Sequence, residues 1–323
     1  MESPNLRANR PAERFGSVHG VDPILVIANS EAGTSDDELL ASALRVLRSE
    51  ASVDVVATSS SGELDGALHR AGSRRIVVAG GDGSLHAVVA ALHRRHELST
   101  KVLGLLPMGT GNDFARGTGI PLDVDEAARL ILHGEARPVD ILVDEVGEVV
   151  VNNAHAGAGA LASREGADWK SRLGELSIGK LNLGRLGYPI GALVASLRPV
   201  KLRLRVEVDG VVVNDWDRPV LMVALGNGSH VGGGTVLNPD ADPESGRIDV
   251  IVSRAVGPLA RYGYAVGLRL GRHPERDDVA HYHGTQVTII GEEFWVSADG
   301  EIYGPERRRS WRVEPAAYAM ILP

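Results

Sequence analysis

Two glycine-rich turns limit what this chain can become. Gly80-Gly81-Asp82-Gly83-Ser84 follows the aliphatic run 76–79, and Pro107-Met108-Gly109-Thr110-Gly111-Asn112-Asp113-Phe114-Ala115 follows the run 102–106. Each run reads as a buried strand, and each turn opens into a helix-like segment. A strand that ends in glycine and leads into a helix aims backbone N–H groups at an anion. Two such turns in one sheet imply a polyphosphate held from two sides. Asp82 adds a metal to that picture. A carboxylate among phosphate-binding amides repels an anion unless a divalent cation lies between them, which points to Mg²⁺ with a nucleotide. Thr110 can donate to a phosphate oxygen, whereas Asn112 or Asp113 can equally cap the next helix.

The rest of the chain divides by rhythm. Over residues 23–139, expected strands at 24–28, 53–57, 76–79 and 102–106 alternate with expected helices through Leu39–Leu47 and over 64–71, 85–93 and 124–132. Such alternation means βα units and a mostly parallel sheet, whose ligands sit beyond the carboxyl ends of the strands. From about residue 140 the period becomes two, over 141–151, 201–208, 211–213, 220–225, 247–252, 286–290 and 294–297. This predicts an antiparallel, β-sandwich-like domain interrupted by a helical insert near 167–197. The cluster Arg307-Arg308-Arg309 reads as an exposed loop. The fold class is therefore α/β + β: an N-terminal α/β nucleotide-binding domain over 23–139, then a β-rich domain over 140–314. Residues 1–22 are polar, contain Pro4 and Pro11, show no secretory leader, and read as a disordered lead-in.

Composition narrows the function. The chain of 323 residues has no cysteine, so disulfides, thiolate metal sites and cysteine nucleophiles are excluded, and a cytoplasmic setting fits. A net charge of −8 argues against a general nucleic-acid binder. The longest apolar stretch, 188–197, is about half of the ~20 residues a spanning helix needs. Between Arg164 and Arg205 there are nine Lys/Arg against three Asp/Glu. That excess is either a solvated face or a patch that meets anionic lipid headgroups. His281 and His283 share a strand face with His273 nearby, but no acidic residue is spaced in sequence to complete a metal site. They read as surface or core histidines.

The two glycine turns, with the helix between them and Arg116 closing the second, resemble the catalytic domain of the diacylglycerol kinase family, on the branch of soluble bacterial lipid kinases. Ser84 stands where the family has threonine, and both carry a hydroxyl. The resemblance extends over nearly the whole chain from Pro23. Asn29 matches an asparagine ending the first strand, although Ser30 replaces the family's proline. Thr58 and Gly62 match a Thr and Gly after the second. Asn227-Gly228, Gly232-Gly233-Gly234 and Asp299-Gly300-Glu301 match later motifs. The resemblance implies two domains with a nucleotide cleft between them, and a closing strand at 315–323 that returns to the first domain. It implies an ATP-dependent lipid kinase that transfers the γ-phosphoryl of Mg-ATP to a lipid hydroxyl, diacylglycerol-like, at the inner face of a membrane. Asn29, Thr58, Gly80, Gly81, Asp82, Gly83, Ser84, Gly109, Thr110 and Asn112 would hold the nucleotide. Asp82 and Asp113 would flank the catalytic Mg²⁺, and Glu301 would be the general base. Asn227, Gly233, Gly187 and Leu193 would line the lipid pocket. The family's second metal segment is matched by Pro239, Ala241 and Gly246, but Ser245 replaces its aspartate. Asp242, Ser245 and Arg247 are then the candidate ligands, short of one anionic group for which Asp242 or Glu244 could compensate. An NAD-kinase-like enzyme shares the Gly-Gly-Asp-Gly turn and is the alternative, as is a non-catalytic nucleotide- or lipid-binding regulator. An exposed sheet edge could pair two copies into a homodimer.

Overall fold

The computed structural model describes residues 23–29, 34–158, 160 and 201–323. The lead-in, the helical insert, most of the basic stretch, Gly187 and Leu193 lie outside the described residues. Four aliphatic strands found the first half: β1 (Ile24–Asn29), β2 (Val53–Thr58), β3 (Arg75–Gly80) and β4 (Val102–Pro107). They run parallel in the order β4-β3-β1-β2. β1 and β3 are buried along nearly their whole length, so they read as unbroken Ile/Val runs, the signature of strands covered on both faces.

The cover comes from α1 (Thr34–Arg48), which packs on α5 (Val124–His133), and from α2 (Ser61–His69), which packs on α3 (Asp82–Arg94). A single turn and a half, α4 (Asp113–Thr118), follows the second glycine turn. The chain leaves β1 toward β2 on one side and returns to β3 on the other. That reversal opens a crevice at the carboxyl ends of β1 and β3.

The second half is antiparallel and β-rich. Its strands are β5 (Glu135–Asp144), β6 (Val149–Val150), β7 (Asn153–Gly157), β8 (Leu204–Val208), β9 (Val211–Asn214), β10 (Met222–Gly226), β11 (His230–Val231), β12 (Thr235–Val236), β13 (Ile248–Ser253), β14 (Val279–Gly284), β15 (Gln286–Ala298) and β16 (Glu301–Leu322). Among its described residues lies the helix α6 (Pro258–Arg269). The sheet continues β14-β13-β10-β7-β15-β16 and then joins β4, so both halves share one hydrogen-bonded path. β16 makes the join. Its start pairs with β15, and its end pairs with β5 and, in parallel, with β4 through Ala319 opposite Val102 and Met320 opposite Leu103. Between these stretches its register against β5 slips, around Ala316 with φ of 50°. Separate apolar cores fill the halves: Leu25, Val78, Leu85 and Phe114 in one, and Val206, Val250, Phe294 and Trp311 in the other.

Several expectations need correction. Arg307-Arg308-Arg309 lies within β16, not in a loop. Arg309 is buried, ion-pairs with Asp144 and stacks its guanidinium 4.7 Å from the Tyr303 ring centre. The expected strands 286–290 and 294–297 are one strand, β15, with register shifts at Ile290/Phe294 and Phe294/Val296. The run 141–151 divides into β5 and β6, and β7, β14 and α6 had no clear periodic signal. Among the described residues, no helix is long and apolar enough to cross a membrane.

Candidate active site

The four parallel strands end level with one another. Asn29 is in register with Thr58, and Gly80 with Pro107. The Thr58 hydroxyl donates to Ala28 O at 3.5 Å. The sequence-derived nucleotide residues Asn29, Thr58, Gly80, Gly81 and Gly109 therefore share one edge of one sheet. The two turns touch backbone to backbone. A methyl group on Gly81 would lie 2.9 Å from Gly109 Cα, and one on Gly109 would lie 2.4 Å from Gly81 Cα. Real side chains never make such contacts, so glycine is required at both positions by the meeting of two main chains.

The helix openings differ in a useful way. Ser60 caps α2 and Asp123 caps α5 through their side chains, whereas α3 opens on Gly81 with no side-chain cap. The first N–H groups of α3, at Asp82 and Gly83, are thus left for an anion. Gly83 and Thr110 are exposed at this edge, and Ser84 is half-buried on the first turn of α3.

Neither candidate cap of α4 caps it. Asn112 sits in the left-handed region (φ 52°) and uses its side chain to close the second turn. Its Oδ1 accepts from Gly109 N at 3.0 Å, and its Nδ2 donates to Gly109 O at 2.8 Å. Asp82 does the capping from the other turn, accepting from Asp113 N and Phe114 N, each at 3.0 Å. Asp113 then reaches into the second half. Its carboxylate accepts from Gly233 N at 2.9 Å and Gly234 N at 2.7 Å, in the turn between β11 and β12. Burial pushes the Asp113 carboxyl up. The Gly233 amide opposes that shift, and the negative charge of Asp82 reinforces it. Gly233, assigned from sequence to the lipid pocket, thus packs against the nucleotide turn, its own added methyl 3.8 Å from Gly111 Cα. Asn227 is fully buried and donates to Asp140 O and Val151 O at 3.0 and 2.8 Å.

Glu301 begins β16 directly after a tight two-residue turn in which Asp299 and Gly300 have φ of 47° and 92°. Positive φ at both positions suits Asp-Gly. The Glu301 side chain is exposed, while Asp299 points inward. Asp299 accepts from Val151 N (2.6 Å), Asn152 N (2.9 Å) and His86 Nδ1 (2.9 Å). His86 was not singled out from the sequence, although it lies one helical turn after Asp82 on the same face of α3. Burial disfavours its charge, but the hydrogen bond and charge of Asp299, with Glu301 and Glu148 nearby, prevail and raise its pKa. His86 therefore ties the first glycine turn's helix to the Glu301 hairpin.

Mg²⁺ suits this donor set. A methyl group on Gly111 would lie 3.1 Å from Asp82 Oδ2 and 3.5 Å from Asp113 Oδ2. Two carboxylates flanking one glycine supply the hard oxygens that Mg²⁺ takes, so the residues fit. The second metal segment does not fit a hard cation. The Ser245 hydroxyl donates to Asp242 O at 2.7 Å, and Arg137 pairs with Glu244 at 2.7 Å. The buried Asp140 carboxylate accepts from Gly246 N and Ala316 N at 2.6 and 2.7 Å. Arg247 offers no anionic group.

The fold and this edge define a two-domain protein whose glycine turns face a β-rich partner domain. Residues 23–143 match the family model "Diacylglycerol kinase catalytic domain", and residues 173–322 match "YegS C-terminal NAD kinase beta sandwich-like domain". The chain belongs to this lipid kinase family. It is 33% identical over 299 residues to a protein of Xanthomonas campestris pv. campestris called "Probable lipid kinase YegS-like", covering 88% of this chain and 91% of that one. A protein of the same name from Cronobacter sakazakii is 32% identical over 213 residues, 64% of this chain and 67% of that one. In fold it is similar to the crystal structure of a diacylglycerol kinase from Bacillus anthracis, with a TM-score of 0.70 at 22% identity, covering 94% of this chain and 97% of that one.

Proposed function

We propose that this protein transfers the γ-phosphoryl group of Mg-ATP to the hydroxyl of a diacylglycerol-like lipid. One observation carries the reading: the two glycine turns meet main chain to main chain at the carboxyl ends of β3 and β4, between two carboxylates. The triphosphate would lie along the amides of Gly81 to Ser84 and the Thr110 hydroxyl, with Asn29 and Thr58 toward the nucleoside. Asp82 and Asp113 would hold Mg²⁺, which when bound offsets phosphate charge.

The chain's own groups account for the rest of the chemistry. Phosphoryl transfer asks a protein mainly for positioning and charge neutralisation. Glu301, as the carboxylate, takes the lipid hydroxyl proton while that oxygen bonds to the γ-phosphorus. The bond from phosphorus to the bridging oxygen breaks, and ADP leaves with that electron pair. Asp299 and His86 hold the Glu301 hairpin against α3. The acceptor lies in a membrane, so a transient encounter with an anionic inner-leaflet surface belongs to this reading. The test is incubation with γ-labelled ATP, Mg²⁺ and a lipid panel, with NAD as a parallel acceptor. Label in a lipid product supports the reading. Label in NAD alone, or none in any acceptor, overturns it.

A further inference from the structure

The outer edge of the β-rich half holds a cluster that the kinase reading does not use. His281 and His283 lie two apart on the edge strand β14, on one face, with rings 4.9 Å apart. Asp249 stands opposite His283 on β13. Asp240 enters from the segment between β12 and β13. The sequence expectation that no acid is spaced to complete a site with these histidines fails here, because strand pairing brings Asp249 and the preceding segment brings Asp240 beside His281, from 32 and 41 positions away.

We propose that Asp240, His281 and His283 bind one divalent transition-metal ion of the zinc class. One ligand atom from each of the three lies within 4.8 Å of the others. Ligands on a tetrahedral ion with bonds of about 2.0 Å sit roughly 3.3 Å apart, so side-chain movements of about 1 Å close the set. Two imidazoles with one carboxylate select a borderline ion such as Zn²⁺ over Mg²⁺.

A second observation points the same way. Asp249 is 1% exposed, and its Oδ2 has no hydrogen-bond partner among the described residues. A buried carboxylate with a bare oxygen is costly unless a cation stands near it. His281 presents Nδ1 to Asp240 at 3.4 Å and Nε2 to Asp249 on its other side. That is the arrangement in which a metal-bound imidazole donates its far N–H to a supporting carboxylate. Asp249 is therefore a positioning residue, behind the ligands.

The bound ion would be a staple. The segment carrying Asp240 also carries Pro243, Glu244 and Gly246. These contact Asp140 and Arg137 on β5 through Asp140 N to Pro243 O at 2.7 Å, the Arg137–Glu244 pair and Gly246 N to Asp140. Fixing Asp240 to the sheet edge fixes that segment at the junction of the halves.

The experiment is calorimetric titration of the untagged, chelator-treated full chain with ZnCl₂, and separately with MgCl₂. One equivalent of Zn²⁺ is expected, bound at least about a hundredfold more tightly than Mg²⁺. The exposed-residue variants His283→Ala and Asp240→Asn, checked for an unchanged melting temperature without metal, should each weaken Zn²⁺ about tenfold or more. Asp249→Asn should weaken it about 10- to 100-fold. CoCl₂ should give visible ligand-field bands in the parent protein that are lost in His283→Ala. Absence of stoichiometric Zn²⁺ binding, or binding unchanged in both His283→Ala and Asp240→Asn, overturns the proposal. Neither result depends on kinase activity.

Discussion

Asp82 and Asp113 show how much one side chain can carry. Each was read as a metal residue, and each also accepts two backbone N–H groups, Asp82 across the two turns and Asp113 across the two halves. Glu301 has no such structural duty and is exposed, so its chemistry can be isolated. Glu301→Gln should lower turnover by about 10²- to 10⁴-fold, with ATP affinity within about twofold of the parent. Steady-state rates with labelled ATP and calorimetric nucleotide titration would check this, and parent-like turnover would end its role as base. His86 gives a pH prediction. Its pKa is raised in the folded state, so its pairing with Asp299 contributes fully below the ordinary value of 6.5 and fades as pH rises through the folded value. His86→Gln should cost about 1–3 kcal/mol near pH 6 and progressively less toward pH 9, read from denaturant melts of both proteins across that range.

At the scale of elements, the meeting of the two turns is the most exposed claim. Gly109→Ala places a methyl 2.4 Å from Gly81 Cα. The turns must separate, at a cost of about 1–3 kcal/mol. Nucleotide affinity should fall with it, measurable by thermal melting and calorimetry on the same sample. The parallel half was legible because its strands are unbroken Ile/Val/Leu runs and its turns are glycine-marked. What was missed lacked a period. β7 is Asn-Ala-His-Ala-Gly, buried at every position by its neighbours rather than by its own apolar alternation. β14 alternates no hydrophobes, and α6 is interrupted by Gly263 and Gly267. Arg307-Arg308-Arg309 suggested a loop because sequence cannot reveal that Asp144 waits for Arg309 across a strand pair. In the candidate site, motif residues were legible one by one. The partners that bind motifs together, His86 to Asp299 and Asp113 to Gly233, were not, because they span 213 and 120 positions.

At the scale of the molecule, the last strand belongs to both halves. Tyr318, Met320 and Leu322 sit in the core of the parallel half, although they follow the whole β-rich half in sequence. A chain ended after Gly300 would lose them and leave β4 with a bare edge. Expression of that truncation should give aggregated material, scored by size-exclusion chromatography, and a monodisperse product would refute the dependence. The same ribbon sets how the cleft can breathe. Halves joined by a slack tether could swing apart like a book. These are joined by β-structure, whose register against β5 slips beside Ala316, where Asp140 accepts from the Ala316 N–H. On the kinase reading, making room for a lipid acceptor would mean twisting a strand that belongs to both halves, not swinging two bodies about a free linker.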